Sequence, residues 1–573
     1  WVVGAMEMVE RLAYYGVKAV ATLYAKDPVS KGGLGITMDS FGTILMAWAL
    51  VQSVVPVFTG GLSDRYGYKE TIAASTVVKI CGYLVMAFFP HYWGFFAGSM
   101  LLALGTAIFK PGIQGTLVKS TKRENSSVAW AIFYQTVNIG GFIGPLIAGL
   151  MRKMAWSNVF YACAAIICLN FLLLLTYKEV GKEERIARNK SGQKQSLAAE
   201  SLKELAKPHV WSYLLIFSGF WFMFNALFDV LPAHLEDWVD TRGIVSSLFG
   251  TGGTESAFVK FFIVMNADGT EIQPEGLLNL NAGLIMLTCF LFGALSGRMR
   301  ATTSMVVGTL MATVALFVSG YSTAGWLSVF AICIFSVGEM LSSPKFSEFI
   351  GNFAPSDKKA MYLGFSQIPL AIGWTLEGKI GPMLYERMAS KEVFSRQELL
   401  AKGWEQSAID ALPQGEAFHK LVEVSGTGKW EVTAGLYAQH GSSIGMVWYI
   451  MGGIGIASAI GIWLYGQWIQ RLALSDRPAR ASRPRTRAHD ARACRGLLRA
   501  ALDEPSAAGL AQLEDDSVGF DPGGAMSVGR PEAIRRSVSS AACAACVWIS
   551  LRSPMKMRSF TSTPPGCATA QCT

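Results

Sequence analysis

The sequence predicts an all-α membrane protein with twelve transmembrane helices in two six-helix halves. Three observations predict it. Of the 573 residues, 51% are hydrophobic and only 16% charged, with a mean hydropathy of +0.34, whereas an ordinary soluble domain is about 25% charged. Apolar runs of bilayer-spanning length, about 20 residues, recur near 1–25, 40–62, 71–89, 93–117, 128–150, 156–177, 209–233, 278–297, 303–320, 324–346, 361–385 and 443–466. Basic residues between these runs keep to alternate connections, as the positive-inside rule requires when both termini are cytoplasmic.

The basic connections are Arg65 and Lys69 after span 2, Lys119, Lys122 and Arg123 after span 4, Arg298 and Arg300 after span 8, and Lys358 and Lys359 after span 10. Between spans 6 and 7, residues 178–207 form a basic linker, while the 7–8 connection is acidic (Glu236, Asp237, Asp240, Glu255, Asp268, Glu271, Glu275). Arg152 and Lys153 run against the pattern and are outnumbered. The predicted organisation is a six-helix bundle over 1–177, the linker 178–207, and a second bundle over 208–470 with a large extracytoplasmic connection at 386–442, followed by a tail at 471–573. The net charge of +9 is accounted for by orientation beside an anionic leaflet and is no nucleic-acid signature. Cys81, Cys163, Cys168, Cys289 and Cys333 fall within spans, where cysteine behaves as a small hydrophobe, so no disulfide framework is expected.

Span 1 carries EMVERLAYYG, in which Glu7, Glu10, Arg11, Tyr14 and Tyr15 stand at offsets 0, +3, +4, +7 and +8. That spacing puts them on one helical stripe. A charge near the bilayer centre costs roughly 2.5–3.5 kcal/mol on insertion scales, so the stripe should face a protein-lined, hydrated pathway. Span 2 ends in GGLSDRYGYKE. This string resembles the loop signature of the major facilitator superfamily, matching at Gly60, Leu62, Asp64, Arg65, Gly67 and Lys69. Span 4 holds Lys110 directly before Pro111 in GTAIFKPGIQG; a buried lysine needs an anionic partner, and the carboxylates of span 1 are the natural candidates. Its bland alternative is snorkelling to the interface.

Span 5 contributes FYQTVNIGGFIGP, with Tyr134 and Asn138 one turn apart and Gly140, Gly141, Gly144 and Pro145 permitting tight packing. Span 7 contains FWFMFNALFDV, which places Asn225 one turn before Asp229. In span 10, Glu339 is an intramembrane acid, Pro344 marks a hinge or gate, and Lys345 and Glu348 have the spacing of a local ion pair.

Together these strings resemble the proton-dependent oligopeptide transporter family of the major facilitator superfamily, over about residues 1–470. EMVERLAYYG is similar to that family's Glu-x-x-Glu-Arg-Phe-x-Tyr-Tyr-Gly, with Leu12 replacing the aromatic; FKPGIQG, FYQTVNIGG and GEMLSSP resemble its fourth-, fifth- and tenth-helix motifs. The resemblance implies the superfamily fold. It implies proton coupling at Glu7, Glu10 and Arg11 with Lys110 as salt-bridge partner, and a peptide pocket lined by Tyr14, Tyr15, Tyr134, Asn138 and Asn225. Glu339 would recognise the peptide amino terminus, and Asp64, Arg65, Asp229 and Pro344 would serve gating. The sequence departs from the family in span 7, where Asn225 stands near the usual acid and Asp229 follows a turn later: either the acid has moved or a gating salt bridge is lost. Lys79, Glu377 and Lys379 are buried charges that the family pattern does not place.

The expected function is import of di- and tripeptides with protons by a monomeric symporter in the cytoplasmic membrane, using the proton as coupling ion and no cofactor or metal. The alternatives are a proton-coupled carrier of nitrate or a drug-like compound, and a non-transporting peptide sensor. No zinc-protease spacing, nucleophile elbow or Walker loop points to an enzyme. Trp1 already lies in an apolar run, so the natural N-terminus is expected upstream; from Ser475 the Ala-, Arg-, Pro- and Ser-rich composition predicts disorder, with out-of-frame translation as the sharper hypothesis. Cys543, Cys546, Cys567 and Cys572 lie in that stretch without a fold to make them a zinc site.

Overall fold

The computed structural model describes residues 1–121, 126–179, 203–353 and 365–475, together with Glu183 and Tyr362. Most of the predicted linker, the tail beyond 475, Lys122, Arg123, Lys358 and Lys359 lie outside the described residues, as do the side chains of Asp64 and Arg65.

Among the described residues, twelve helices of 21 residues or more account for the predicted spans. The first six are α1 (Val2–Lys26), α2 (Met38–Tyr66), α3 (Tyr68–Phe88), α4 (Tyr92–Lys119), α5 (Ser126–Arg152) and α6 (Trp156–Thr176). After the linker come α7 (Pro208–Asp229) and three short helices, α8 (Leu231–Trp238), α9 (Arg242–Phe249) and α10 (Ala257–Phe262). Then follow α11 (Pro274–Gly297), α12 (Ala301–Tyr321), α13 (Gly325–Phe353) and α14 (Gln367–Met388), the short α15 (Lys391–Ala401), α16 (Gln406–Asp410) and α17 (Ala417–Ser425), and finally α18 (Lys429–Ser475). Among the described residues, nine helices are long and apolar enough by composition to cross a membrane. In α1 and α14 that apolar length is interrupted by Glu7, Glu10, Arg11 and Lys18, and by Glu377 and Lys379. Leu172, Leu175, Leu287, Phe290 and Leu291 stand exposed on outer faces, where a lipid solvent makes their exposure favourable.

Local chemistry explains the punctuation. Thr37 Oγ1 accepts the Ser40 amide at 3.2 Å and caps α2. The break between α2 and α3 falls at Gly67, whose φ of 121° strongly favours glycine. The connection predicted as 386–442 is shorter than expected: α15 to α17 fill it, and α18 starts at Lys429 rather than near 443. A search for apolar runs sees only the part of a helix that lipid surrounds, whereas α18 continues beyond it, its first turns tied down by Trp430 Nε1 donating to Glu271 Oε1 at 2.8 Å. Ser390 Oγ caps α15, and Gly426, with φ 63°, ends α17.

In the first half α1 packs on α5 and α6, α3 on α4 and α6, and α2 on α4; in the second, α12 packs on α13 and α18, α7 on α14 and α18, and α11 on α13. The halves meet through α2 with α14 and α5 with α11. Small residues make these approaches close, as expected where lipid offers no hydrophobic drive for association. A Cβ on Gly144 would lie 2.5 Å from the Leu12 carbonyl oxygen and 2.9 Å from the Gly16 amide nitrogen. Gly144→Ala is therefore expected to force α5 off α1 at a cost of about 1–3 kcal/mol, read as a lower thermal midpoint of the purified protein. An unchanged midpoint would show that the two helices separate without penalty.

Candidate functional site

The stripe on α1 is buried, as its charges demand. Arg11 Nε lies 2.9 Å from Glu7 Oε1 and 2.7 Å from Glu10 Oε2, and its guanidinium stands 5.3 Å from the Tyr14 ring centroid. The second cation on this cluster is Lys79 of α3, whose Nζ donates to Glu10 Oε1 at 3.3 Å and sits 3.8 Å from the Phe109 ring centroid. Thr106 adds a donor to the same oxygen at 3.4 Å. Lys110, the partner expected from sequence, makes no ion pair among the described residues and is only half-buried. The physical reason is Gly105: a Cβ there would meet Lys79 Cγ at 2.4 Å, so α4 leaves the space through which the Lys79 chain reaches α1. Lys79 was visible in the sequence as a buried charge; its partner was not.

A second constellation lies further along the same stripe. Lys18, one turn past Tyr14, pairs with Asp229 of α7, and Thr22 Oγ1 donates to the Asp229 carbonyl at 3.1 Å. An ion pair between the halves is therefore present at Asp229, one turn after the position where the resemblance expects the acid. Lys18 was missed in the sequence, although its place on the stripe was the available signal. Asn225 donates to Asp229 Oδ2 at 2.5 Å and to Glu377 Oε2 of α14 at 2.6 Å.

Between the halves lies a central cavity of about 60 Å³ lined by residues including Tyr15, Asn138, Phe224, Phe228, Asn281 and Glu339. Glu339 accepts from Asn281 Nδ2 at 3.1 Å and has no ion-pair partner among the described residues. Asn138 donates to the Tyr134 carbonyl of its own helix at 2.9 Å. Of the six residues expected to line a pocket, Tyr15, Asn138 and Glu339 are brought together. Tyr14 packs edge-on against Trp48, Tyr134 is partly exposed, and Asn225 serves the acids of α7 and α14. The helix α13 continues through Pro344 without a break, and Lys345 pairs locally with Glu348 at 2.6 Å.

Among the described residues, the ion pairs joining the two halves all sit at the end where α1, α5 and α7 finish. Besides Lys18 with Asp229 they are Lys26 with Asp237 at 2.7 Å and with Glu236 at 3.5 Å, Arg152 with Glu275 at 2.8 Å and Lys379 with Asp39 at 2.8 Å. Burial works to raise the Asp237 carboxyl, but Lys26 and Lys391 outweigh it and hold it below the ordinary range. Lys379 thereby finds its role as a tie between α14 and α2. Ion pairs tie the halves together at this end, and the central cavity of about 60 Å³ is smaller than the roughly 300 Å³ of a typical ligand site.

Comparison with known proteins agrees with this geometry. The family model described as Major Facilitator Superfamily matches residues 8–376. The multidrug resistance protein MdtH of Edwardsiella ictaluri (strain 93-146) is 23% identical over 342 residues, covering 59% of this chain and 75% of the relative; that of Yersinia pestis (strain Pestoides F) is 24% identical over 341 residues with the same coverage. A solved POT family transporter in complex with 5-aminolevulinic acid superposes with a TM-score of 0.59 at 14% identity, over 82% of this chain and 96% of its own. A peptide transporter POT in complex with sulfate gives 0.58 at 16%, over 82% and 94%. A bacterial homologue of the human drug peptide transporters PepT1 and PepT2 gives 0.56 at 16%, over 82% and 98%. These structures share the fold of two six-helix halves that the chain displays. A match across more than half of its length makes the chain a member of the major facilitator superfamily, a family of membrane transporters.

Proposed function

We propose that this protein is a proton-coupled symporter of the oligopeptide transporter class that imports di- and tripeptides across the cytoplasmic membrane. The observation that carries the reading is the division of charge across the midplane. Arg11, Lys79 and Lys110 stand with two carboxylates in the first half, and Glu339 stands without a cation in the second, facing the central cavity. A zwitterion needs opposite charges at its two ends, and this division supplies them. The fold shared with peptide transporters supports the same reading.

The mechanism is alternating access by rocking of the halves about the midplane. The end tied by ion pairs faces outside under the charge distribution of the connections. Protonation of Glu7 or Glu10 weakens their hold on Arg11 and Lys79, and release of the proton inside restores it. The proton is the coupling ion, each charge crossing the membrane being worth about 2.3 kcal/mol per 100 mV. A drug-like substrate is the second reading, favoured by the names of the curated relatives.

Uptake of labelled dialanine into proteoliposomes, with and without an inward proton gradient and with unlabelled tripeptide as competitor, separates the two. Gradient-driven accumulation suppressed by tripeptide is the expected result. Correctly inserted protein that takes up no dialanine would overturn the peptide reading.

A further inference from the structure

The connection between α14 and α18 has a use that the midplane site does not absorb. Its helices α15 and α17 form much of the wall of a cavity of about 310 Å³, within the range of small-molecule sites. The rest of the wall includes Asp27 and Met38 from the first half and Asp237 and Glu386 from the second. The two sides touch. A Cβ on Gly415, which has φ 90°, would lie 2.9 Å from the Lys26 carbonyl oxygen and 3.1 Å from the Pro28 nitrogen, so the approach to α17 rests on the stretch that carries Asp27.

The charges in this wall are not balanced locally. Lys391 is 5% exposed. Its ammonium meets Thr433 Oγ1 at 3.1 Å and the rings of Phe418 and Trp238, whose centroids are 4.2 Å and 5.3 Å away, and it makes no ion pair among the described residues. Asp237 is already taken by Lys26 and by the Tyr385 hydroxyl, each at 2.7 Å. Burial pulls the Lys391 amine down to about 7; Lys429 and Lys26 add to the fall, and Asp237 and Glu236 only partly oppose it. On the acidic side, Asp27 accepts from Trp156 Nε1 at 3.1 Å and Glu386 from the Met38 amide at 2.8 Å, and neither makes an ion pair among the described residues. Burial raises the Asp27 carboxyl, and Glu236 adds to the rise. An ammonium with donors to spare and two carboxylates without a cation, around one cavity, complement a molecule that carries both charges itself.

We propose that this cavity is a second binding site, separate from the midplane, for a small zwitterion of the short-peptide class, with its carboxylate on Lys391 and its ammonium on Asp27 and Glu386. The wall belongs to both halves, so the bound molecule adds a tie between them at the end already joined by Lys26 and Asp237. The choice of a peptide rests on the symport reading; the need for both charges does not.

The test uses the full chain in lipid nanodiscs, in a background lacking the native cysteines, with an environment-sensitive fluorophore at Glu423→Cys, which is exposed and adjoins the cavity residue Val422. Dialanine is expected to change the emission saturably, and the signal should persist in Glu339→Gln, which strips the central cavity of its acid. Losing a charged partner should weaken binding at least about tenfold. Lys391→Met is expected to do so, with Lys391→Arg restoring most of the affinity, and Asp27→Asn decides the matter if Lys391→Met fails to fold. Alaninamide and N-acetylalanine, each lacking one of the two charges, should bind the unsubstituted site at least about tenfold more weakly than dialanine. Emission that dialanine leaves unchanged, or equal binding in the folded variants and by the singly charged analogues, would overturn the proposal. Binding here by a protein that takes up no dialanine would uphold this site and reject the symport reading; uptake without binding here would reject this site and leave that reading standing.

Discussion

Glu10→Gln is expected to abolish gradient-driven accumulation of dialanine. Glu10 is the hinge of the α1 cluster: one of its oxygens lies 2.7 Å from Arg11 Nε and the other accepts from Lys79 at 3.3 Å, with Lys79 fully buried. Gln keeps the shape and removes the charge, so two buried cations are left with Glu7 alone. Removing one partner of a buried ion pair costs about 3–5 kcal/mol, which is a change of roughly two to three and a half orders of magnitude in any equilibrium the pair controls. Proton binding at this carboxylate is also eliminated outright. Exchange of dialanine across the membrane without a gradient is expected to survive, since it needs no net proton movement. Uphill uptake retained by a well-folded Glu10→Gln protein would refute the assignment. By the same geometry Lys79→Met should impair accumulation more than Lys110→Met, although from sequence Lys110 was the natural partner.

Lys18→Met is the second large effect. It removes the cation from an inter-half ion pair in which Asp229 is 1% exposed and linked through Asn225 to Glu377, leaving two buried acids with no lysine. A penalty of about 3–5 kcal/mol falls on the closed arrangement only, because opening hydrates both carboxyl groups. That is enough to invert an equilibrium that favours closure by tenfold or less. Spin labels at Val29, in the loop after α1, and at Glu423, on α17 of the other half, report it in a background lacking the native cysteines. Both positions are exposed, and they flank the contacts of Lys31 with His419 and Ser30 with Glu416. A longer distance population that appears in Lys18→Met is the expected result; an unchanged distribution would show that Lys26 with Asp237 and Arg152 with Glu275 hold the end closed without Lys18.

The sequence by itself determined the class of protein, the number of spans and the stripe on α1. Intramembrane charge is costly enough that Glu7, Glu10 and Arg11 stand out against an apolar background, and Glu339, Glu377 and Lys79 stood out for the same reason. It also marked the altered span 7, where Asn225 and Asp229 replace a single expected acid. Only the tertiary structure decided which charges meet. The choice of Lys79 over Lys110 depends on how closely α3 approaches α4, which Gly82 and Gly98 permit and Gly105 exploits. The meeting of Lys18 with Asp229 joins residues 211 apart in the chain, and Asn225 reaches Glu377 across 152. Helical periodicity fixes which residues share a face, but the rotation and separation of helices are set by the small residues between them, so the pairing of buried charges is a property of packing.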